Sequence, residues 1–174
     1  MKKRGLSPII ATVLILLLTV AAISLIASYL IPFIKKTLTL GTECINYREY
    51  FKFEDSFGYN CFNSTNNLHG VSIKTNVQGL AEKDTEGLGL ALIFTDDLTS
   101  KKVEIKDNGS IEQIKILGPI APLEVVKPGE ILTYVYNGTP NLYTKVEAYA
   151  ILKSGRICDK SDEINLVPCT KKLA

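Results

Sequence analysis

The chain has no tryptophan, one methionine, one histidine and no pair of cysteines at C-x-x-C spacing among its 174 residues. Each scarcity removes a class of function. A structural zinc site draws its ligands from clustered Cys and His, and a lone His69 beside scattered cysteines does not supply that pattern. His69 also lacks a Ser or Cys partner in a nucleophile motif, so base-assisted acyl transfer has no visible constellation. Gly87-Leu88-Gly89 is too short for the G-x-G-x-x-G frame of a dinucleotide loop. Asp96-Asp97, and Asp159 with Asp162 and Glu163, do not follow the spacing of an EF-hand and read as solvated turns. The expectation is a protein with no cofactor, no metal and no catalytic residue, and hence not an enzyme.

Charge of one sign is also scarce. Twenty Lys and Arg face eighteen Asp and Glu, for a net charge of +2. The cations are scattered, whereas nucleic-acid binding needs them clustered to displace counterions from phosphate. No DNA or RNA partner is expected. No low-complexity tract and no internal repeat is visible either.

What the chain does have is a run from Leu6 to Ile34 with no charged residue. A helix needs about 20 apolar residues to cross a bilayer, so this one has length to spare. Lys2, Lys3 and Arg4 precede it, and the positive-inside rule keeps such a cluster cytoplasmic and sends the C-terminal part outside. A common secretory signal has a shorter apolar core and a small-x-small cleavage site after it, which fits poorly here. The better processing site is Gly5, before the run, where cleavage removes only the charged leader and leaves Leu6 as the first mature residue. Pro8 is then the third, in the first helical turn, where its missing N–H has no intrahelical acceptor to lose.

The stretch Lys3-Arg4-Gly5-Leu6-Ser7-Pro8-Ile9-Ile10-Ala11-Thr12-Val13-Leu14 resembles the class III leader and N-terminal helix of archaeal type IV pilins. In that family a prepilin peptidase cuts after the glycine, so the resemblance implies Lys3, Arg4 and Gly5 as the recognised leader and Gly5-Leu6 as the scissile bond. Bacterial type IV pilins usually carry a glutamate at the fifth mature position, which here is Ile10, and archaellins generally begin the mature helix differently. The resemblance covers residues 2–30 alone. It implies a homopolymer held by the N-terminal helix, with an assembly ATPase and a membrane platform protein as partners. The precursor would lie in the cell membrane, and the assembled form in an extracellular surface filament serving adhesion.

Such a helix is apolar on every side, so it must be surrounded by lipid or by other helices. Small residues at four-residue spacing, Ser7 with Ala11 and Ser24 with Ser28, would let helix backbones approach. Pro32 is expected to kink or end the helix by removing the bond to the Ser28 carbonyl, and Gly41 to stop it. The chain thus divides into a leader, residues 1–5; a transmembrane or filament-core helix, residues 6–40; and a head, residues 41–174.

In the head the hydrophobic period changes to two. Val71, Ile73, Thr75 and Val77 alternate with Ser72, Lys74 and Asn76, and Val146, Ala148, Ala150 and Leu152 with Lys145, Glu147, Tyr149 and Ile151, which is the pattern of half-buried strands. Further strands are expected at Leu88–Thr95, Lys102–Lys106, Ile111–Leu117 and Glu130–Tyr136. Turn signals at Asp107-Asn108-Gly109, Lys127-Pro128-Gly129 and Asn137-Gly138 separate them. Roughly seven or eight short strands without intervening amphipathic helices predict an α+β chain: a long hydrophobic helix, then an antiparallel β-sandwich of immunoglobulin-like type. Ile45 to Phe53 reads equally as strand or as the end of the helix.

Cys44, Cys61, Cys158 and Cys169 all lie in the head, and their even number suits two disulfides in an oxidising compartment. Pairing Cys44 with Cys61 and Cys158 with Cys169 closes the shortest loops; a Cys44–Cys169 staple is the alternative. Asn63-Ser64-Thr65, Asn108-Gly109-Ser110 and Asn137-Gly138-Thr139 are N-glycosylation sequons of an exported glycoprotein. Two functions then compete: a filament subunit, and a membrane-anchored extracellular β-sandwich that binds a ligand and does not polymerise.

Overall fold

The computed structural model describes residues 8–76, 87–107, 109, 111–118 and 122–173. They fall into two compact units that part between Glu43 and Cys44. The first unit is helix α1, Pro8–Ile45, whose last two residues belong to the second. α1 passes through Pro32 and through Gly41, so neither residue ends it. A proline deletes one backbone hydrogen bond, and the continuous run of helix bonds on either side outweighs that loss. The helix therefore overruns the expected limit at residue 40. The stretch left open between helix and strand resolves as both: Ile45 closes α1, a turn follows with Tyr47 N–H donating to the Cys44 carbonyl at 3.0 Å, and Phe51–Phe53 forms strand β1.

The second unit holds two sheets. The first contains β2 (Cys61–Asn63), β3 (Leu68–Thr75), β6 (Ile114–Ile116), β7 (Ile131–Asn137) and β10 (Val167–Pro168), in the order β10-β2-β3-β7-β6. β1 pairs with β3 through Phe51↔Thr75, on the edge that β3 also offers to β2. The second sheet is β5 (Ser100–Ile105), β4 (Gly89–Thr95), β8 (Lys145–Ile151) and β9 (Ile157–Asn165), antiparallel throughout. In the first sheet β10 runs parallel to β2, Val167 opposite Cys61, so the head is not wholly antiparallel as expected.

Period-two alternation builds the core. Leu90, Leu92 and Phe94 of β4 stand opposite Ala150, Ala148 and Val146 of β8 and share one face with Val103 and Ile105 of β5. Val71 and Ile73 of β3 and Tyr134 and Tyr136 of β7 contribute the facing side, and all these residues form one buried cluster. Phe94 stacks on Tyr136 with ring centroids 4.4 Å apart, which joins the two sheets directly. The hydroxyl of buried Tyr134 donates to the Glu124 carbonyl at 2.9 Å, so its burial leaves no unpaired donor.

The disulfides differ from the expected local pairs Cys44–Cys61 and Cys158–Cys169. Cys44 bonds Cys158 and Cys61 bonds Cys169, with Cα–Cα distances of 5.3 and 4.9 Å and sequence separations of 114 and 108. Loop length alone favours the local pairs, but the sheet decides. β10 lies beside β2 and the Cys169 N–H donates to the Phe62 carbonyl at 2.9 Å, which brings Cys169 to Cys61. Cys158, at the start of β9, meets Cys44, the first residue of the second unit.

Candidate functional site

Among the described residues no group of three or more His, Cys, Asp or Glu side chains comes together to hold a metal ion, and the chemistry worth describing is that of surfaces. The first is α1. Apart from Ala11 and Ala27, every described side chain from Ile9 to Lys35 is exposed, including Leu17 at 64%, Leu25 at 72% and Tyr29 at 74%. Ile9–Lys35 is long and apolar enough to cross a membrane. Its hydroxyls are not loose donors. Thr12, Thr19, Ser24, Ser28 and Thr37 donate to the carbonyls of Ile9, Leu16, Val20, Leu25 and Phe33 at 2.8–2.9 Å. Each Ser and Thr hydroxyl described in the run is therefore satisfied by its own helix, as a hydrocarbon or helix-bundle environment requires.

The residues expected to form the leader and its cleavage site, Lys3, Arg4, Gly5 and Leu6, lie outside the described residues, as do Ser7, Val77 and the sequon residue Asn108. The other two sequons are visible. Asn63 ends β2 half-buried, with its Oδ1 accepting from the Thr65 N–H at 2.9 Å. Asn137 ends β7 exposed, and its Oδ1 accepts from the N–H and hydroxyl of Thr139 at 3.1 and 2.7 Å. In both, the hydroxy-amino acid of the sequon closes a turn on the asparagine.

The single histidine lies in the core. His69 is wholly buried beside Phe94, Tyr136 and Tyr143, and its Nε2 accepts from the Tyr143 N–H at 2.8 Å. An accepting Nε2 places the proton on Nδ1, which finds no hydrogen-bond partner among the described residues. Burial holds the imidazole below its ordinary pKa of 6.5.

Three of the acidic residues, Asp96, Asp162 and Glu163, have partners of their own. Asp96 caps the β4–β5 hairpin, its Oδ1 accepting from the Leu98 and Thr99 N–H groups at 2.8 and 2.5 Å, and these bonds hold its carboxyl below the usual range. Asp162 accepts from the Phe53 N–H at 2.9 Å and so ties β9 to β1. Glu163 is bound by Lys160 and, at 2.9 Å, by Lys145, which together lower its pKa to about 2. Lys145 also meets Glu147 at 3.0 Å, and Glu147 accepts from the Tyr149 hydroxyl at 2.6 Å. These residues cover the solvent face of β8 and β9 with a self-compensated network. On the other sheet Lys74 meets Glu54 at 2.6 Å and, with help from Ser56, lowers its pKa to about 2.

A second apolar feature covers the face of the first sheet that turns away from the core. Cys61, Val135 and Leu173 form a small buried cluster there, with Tyr59, Leu68, Leu117 and Cys169 against it. The C-terminal segment holds it closed: Leu173 is 2% exposed, and Lys171 donates to the Phe57 carbonyl at 2.8 Å while lying 5.0 Å from the Tyr59 ring centre. Sequence reading missed this lid, because Pro168 to Leu173 alternates no apolar residues.

The chain matches no known family model and no curated protein.

Proposed function

We propose that the chain is a pilin-like structural subunit of an archaeal type IV pilus-like filament, serving attachment to surfaces. In this reading α1 forms the filament core, and an immunoglobulin-like β-sandwich head forms the outer wall. The observation that carries it is the helix itself: apolar, with every side chain from Ile9 to Ile34 exposed except Ala11 and Ala27, and preceded in the sequence by Lys2, Lys3, Arg4 and Gly5. Burying many Leu, Ile and Val side chains at about 1.5–3 kcal/mol each makes water inaccessible to such a rod, so it exchanges lipid only for other rods. Uncleaved, Lys2, Lys3 and Arg4 would carry three charges toward an apolar bundle, which is a heavy desolvation cost. Removal of the leader by a prepilin peptidase lifts that obstacle. Lipid and bundle are similarly apolar, so the exchange itself supplies little drive. An assembly ATPase and a membrane platform do the work of extraction.

Two measurements test this. Mass spectrometry of the mature chain should give Leu6 as the first residue, and electron microscopy of sheared surface material should show threads that contain it. A Met1 or Lys2 start, or a Leu6 start without threads, would leave an anchored extracellular domain as the function.

A further inference from the structure

Among the described residues of the head, one large apolar side chain is exposed well beyond the others. Leu98, at the tip of the β4–β5 hairpin, is 94% exposed. It is held there rather than left to wander: Asp96 accepts from the N–H of Leu98 and of Thr99, Thr99 Oγ1 donates to Asp96 Oδ2 at 2.9 Å, and the Asp96 N–H returns to the Thr99 carbonyl at 3.0 Å. The result is a fixed leucine knob flanked by the carboxylates of Asp96 and Asp97. Lys101 and Lys102 follow on β5, where Lys102 is already paired with Glu104 at 2.7 Å.

A complementary socket lies elsewhere on the head. A depression of about 270 Å³ is lined by Phe57, Tyr59, Leu117, Ile131 and Leu132, ample for one side chain and just below the usual range of small-molecule sites. Phe57 and Ile131 are 44% and 41% exposed, so its rim is apolar and open. It runs into a second depression of about 320 Å³ that shares Tyr59 and Leu117 and is lined by Lys115 and Lys172. Lys171 lies over Tyr59 beside them. Of the nearby acids, Asp55 accepts from Asn60 at 2.7 Å and Glu54 is paired with Lys74, while exposed Glu130 precedes Ile131 at the rim, so Lys115, Lys171 and Lys172 outnumber the one acid left over. The knob is acidic and the socket basic.

The two cannot meet within one head. Phe94, at the foot of the knob, packs on His69 and Tyr136, whereas Ile131 and Leu132 of the socket pair with Lys74 and Ile73 at the other end of β3. The rise from His69 to Lys74 is ~17 Å, and the knob belongs to the other sheet. A contact between unlike surfaces of two copies is heterologous, and repeated without closing it generates an open helical array.

We propose that the Leu98 knob of one head docks in the Phe57–Tyr59–Leu117–Ile131 socket of another copy of this chain, with Asp96 and Asp97 meeting Lys115 and Lys172. This contact rests on the polymer reading above. The test places a photoreactive benzoylphenylalanine at position 98 of the full chain, with threads confirmed by microscopy before irradiation. The expected result is a ladder of covalent multimers whose joined peptides link position 98 to residues 56–59, 115–118 or 131–133. Lys115→Glu with Lys172→Glu should lower the yield about fivefold, and adding Asp97→Lys should restore it. Threads that give no ladder, or adducts that map elsewhere, overturn the contact alone. If the parent chain forms no threads, the polymer reading fails and the contact with it.

Discussion

Leu173 sits directly on Gly70: a β-carbon built at Gly70 would lie 2.6 Å from Leu173 Cδ2 and closer still to the Tyr59 carbonyl oxygen. The leucine could turn aside, but the Tyr59 backbone cannot, since its neighbours Asn60 and Cys61 are fixed by a hydrogen bond to Ser72 and by the disulfide. Gly70→Ala should therefore cost about 1–3 kcal/mol through overpacking. Leu173→Ala should cost about 2–5 kcal/mol through the cavity it leaves. Urea unfolding of the two variants and their combination checks both. Because the Tyr59 clash survives the removal of Leu173, the double variant should remain less stable than Leu173→Ala alone.

This contact also marks the limit of what a sequence reader can see. The strands β3, β4, β7 and β8 were legible because each buries one face against the core, and burial on one side writes period two into the chain. β9 was not. Its residues Asp159, Lys160, Asp162 and Glu163 serve an edge strand that pairs through its backbone and bulges twice against β8. β6 shrinks to Ile114–Ile116, with single hydrogen bonds to β7 continuing from Leu117 to Thr133 and to Gln113 from Asn137. The disulfide pairs were misjudged for a related reason: which cysteines meet depends on β10 lying beside β2, a non-local pairing that local spacing does not encode. The apolar helix was readable from hydropathy alone, yet its end was not, because a proline and a glycine are weak stops when helix bonds continue on both sides.

His69 gives stability a pH dependence in the mildly acidic range. The unfolded chain takes up a proton near the ordinary value of 6.5, while the buried imidazole resists one to lower pH. The unfolded state binds more protons in that window, so stability is full above about 6.5 and falls as pH drops toward the lowered value. His69→Ala removes both this slope and the acceptor for the Tyr143 N–H, at a cost of about 2–4 kcal/mol at pH 7.5. Thermal melts of parent and variant between pH 7.5 and 5 should converge as pH falls. Parallel curves would show that His69 does not carry the dependence.

The two disulfides should be non-additive in a way that reports their connectivity. With Cys44–Cys158 closed, the path left open to the second bond runs only from Cys44 to Cys61 and from Cys158 to Cys169. Either bond, added second, closes a short loop worth about 3.5 kcal/mol in the chain-entropy account; added first, it closes a loop of over a hundred residues, worth about 4.7. Removing both as Cys→Ser pairs should thus destabilise by ~1 kcal/mol more than the sum of the two single removals. Local pairs Cys44–Cys61 and Cys158–Cys169 would form separate loops and simply add. Denaturant midpoints of the three variants, with peptide mapping under non-reducing conditions, decide between them.

A single charge in α1 separates anchor from filament core. Leu17 is 64% exposed and lies well inside Ile9–Lys35. Leu17→Arg raises the cost of membrane insertion by roughly 3–4 kcal/mol. The remaining apolar side chains of the span exceed that cost several times over, so the variant should still fractionate with membranes. A packed bundle of identical helices offers no interface to which the long side chain can snorkel, and repeats the unpaired charge in every copy. Surface threads should be lost while membrane association persists, as read by fractionation beside microscopy of sheared material. Threads as abundant as in the parent, with the arginine chain present in them, would place α1 outside any apolar core and leave it a tether.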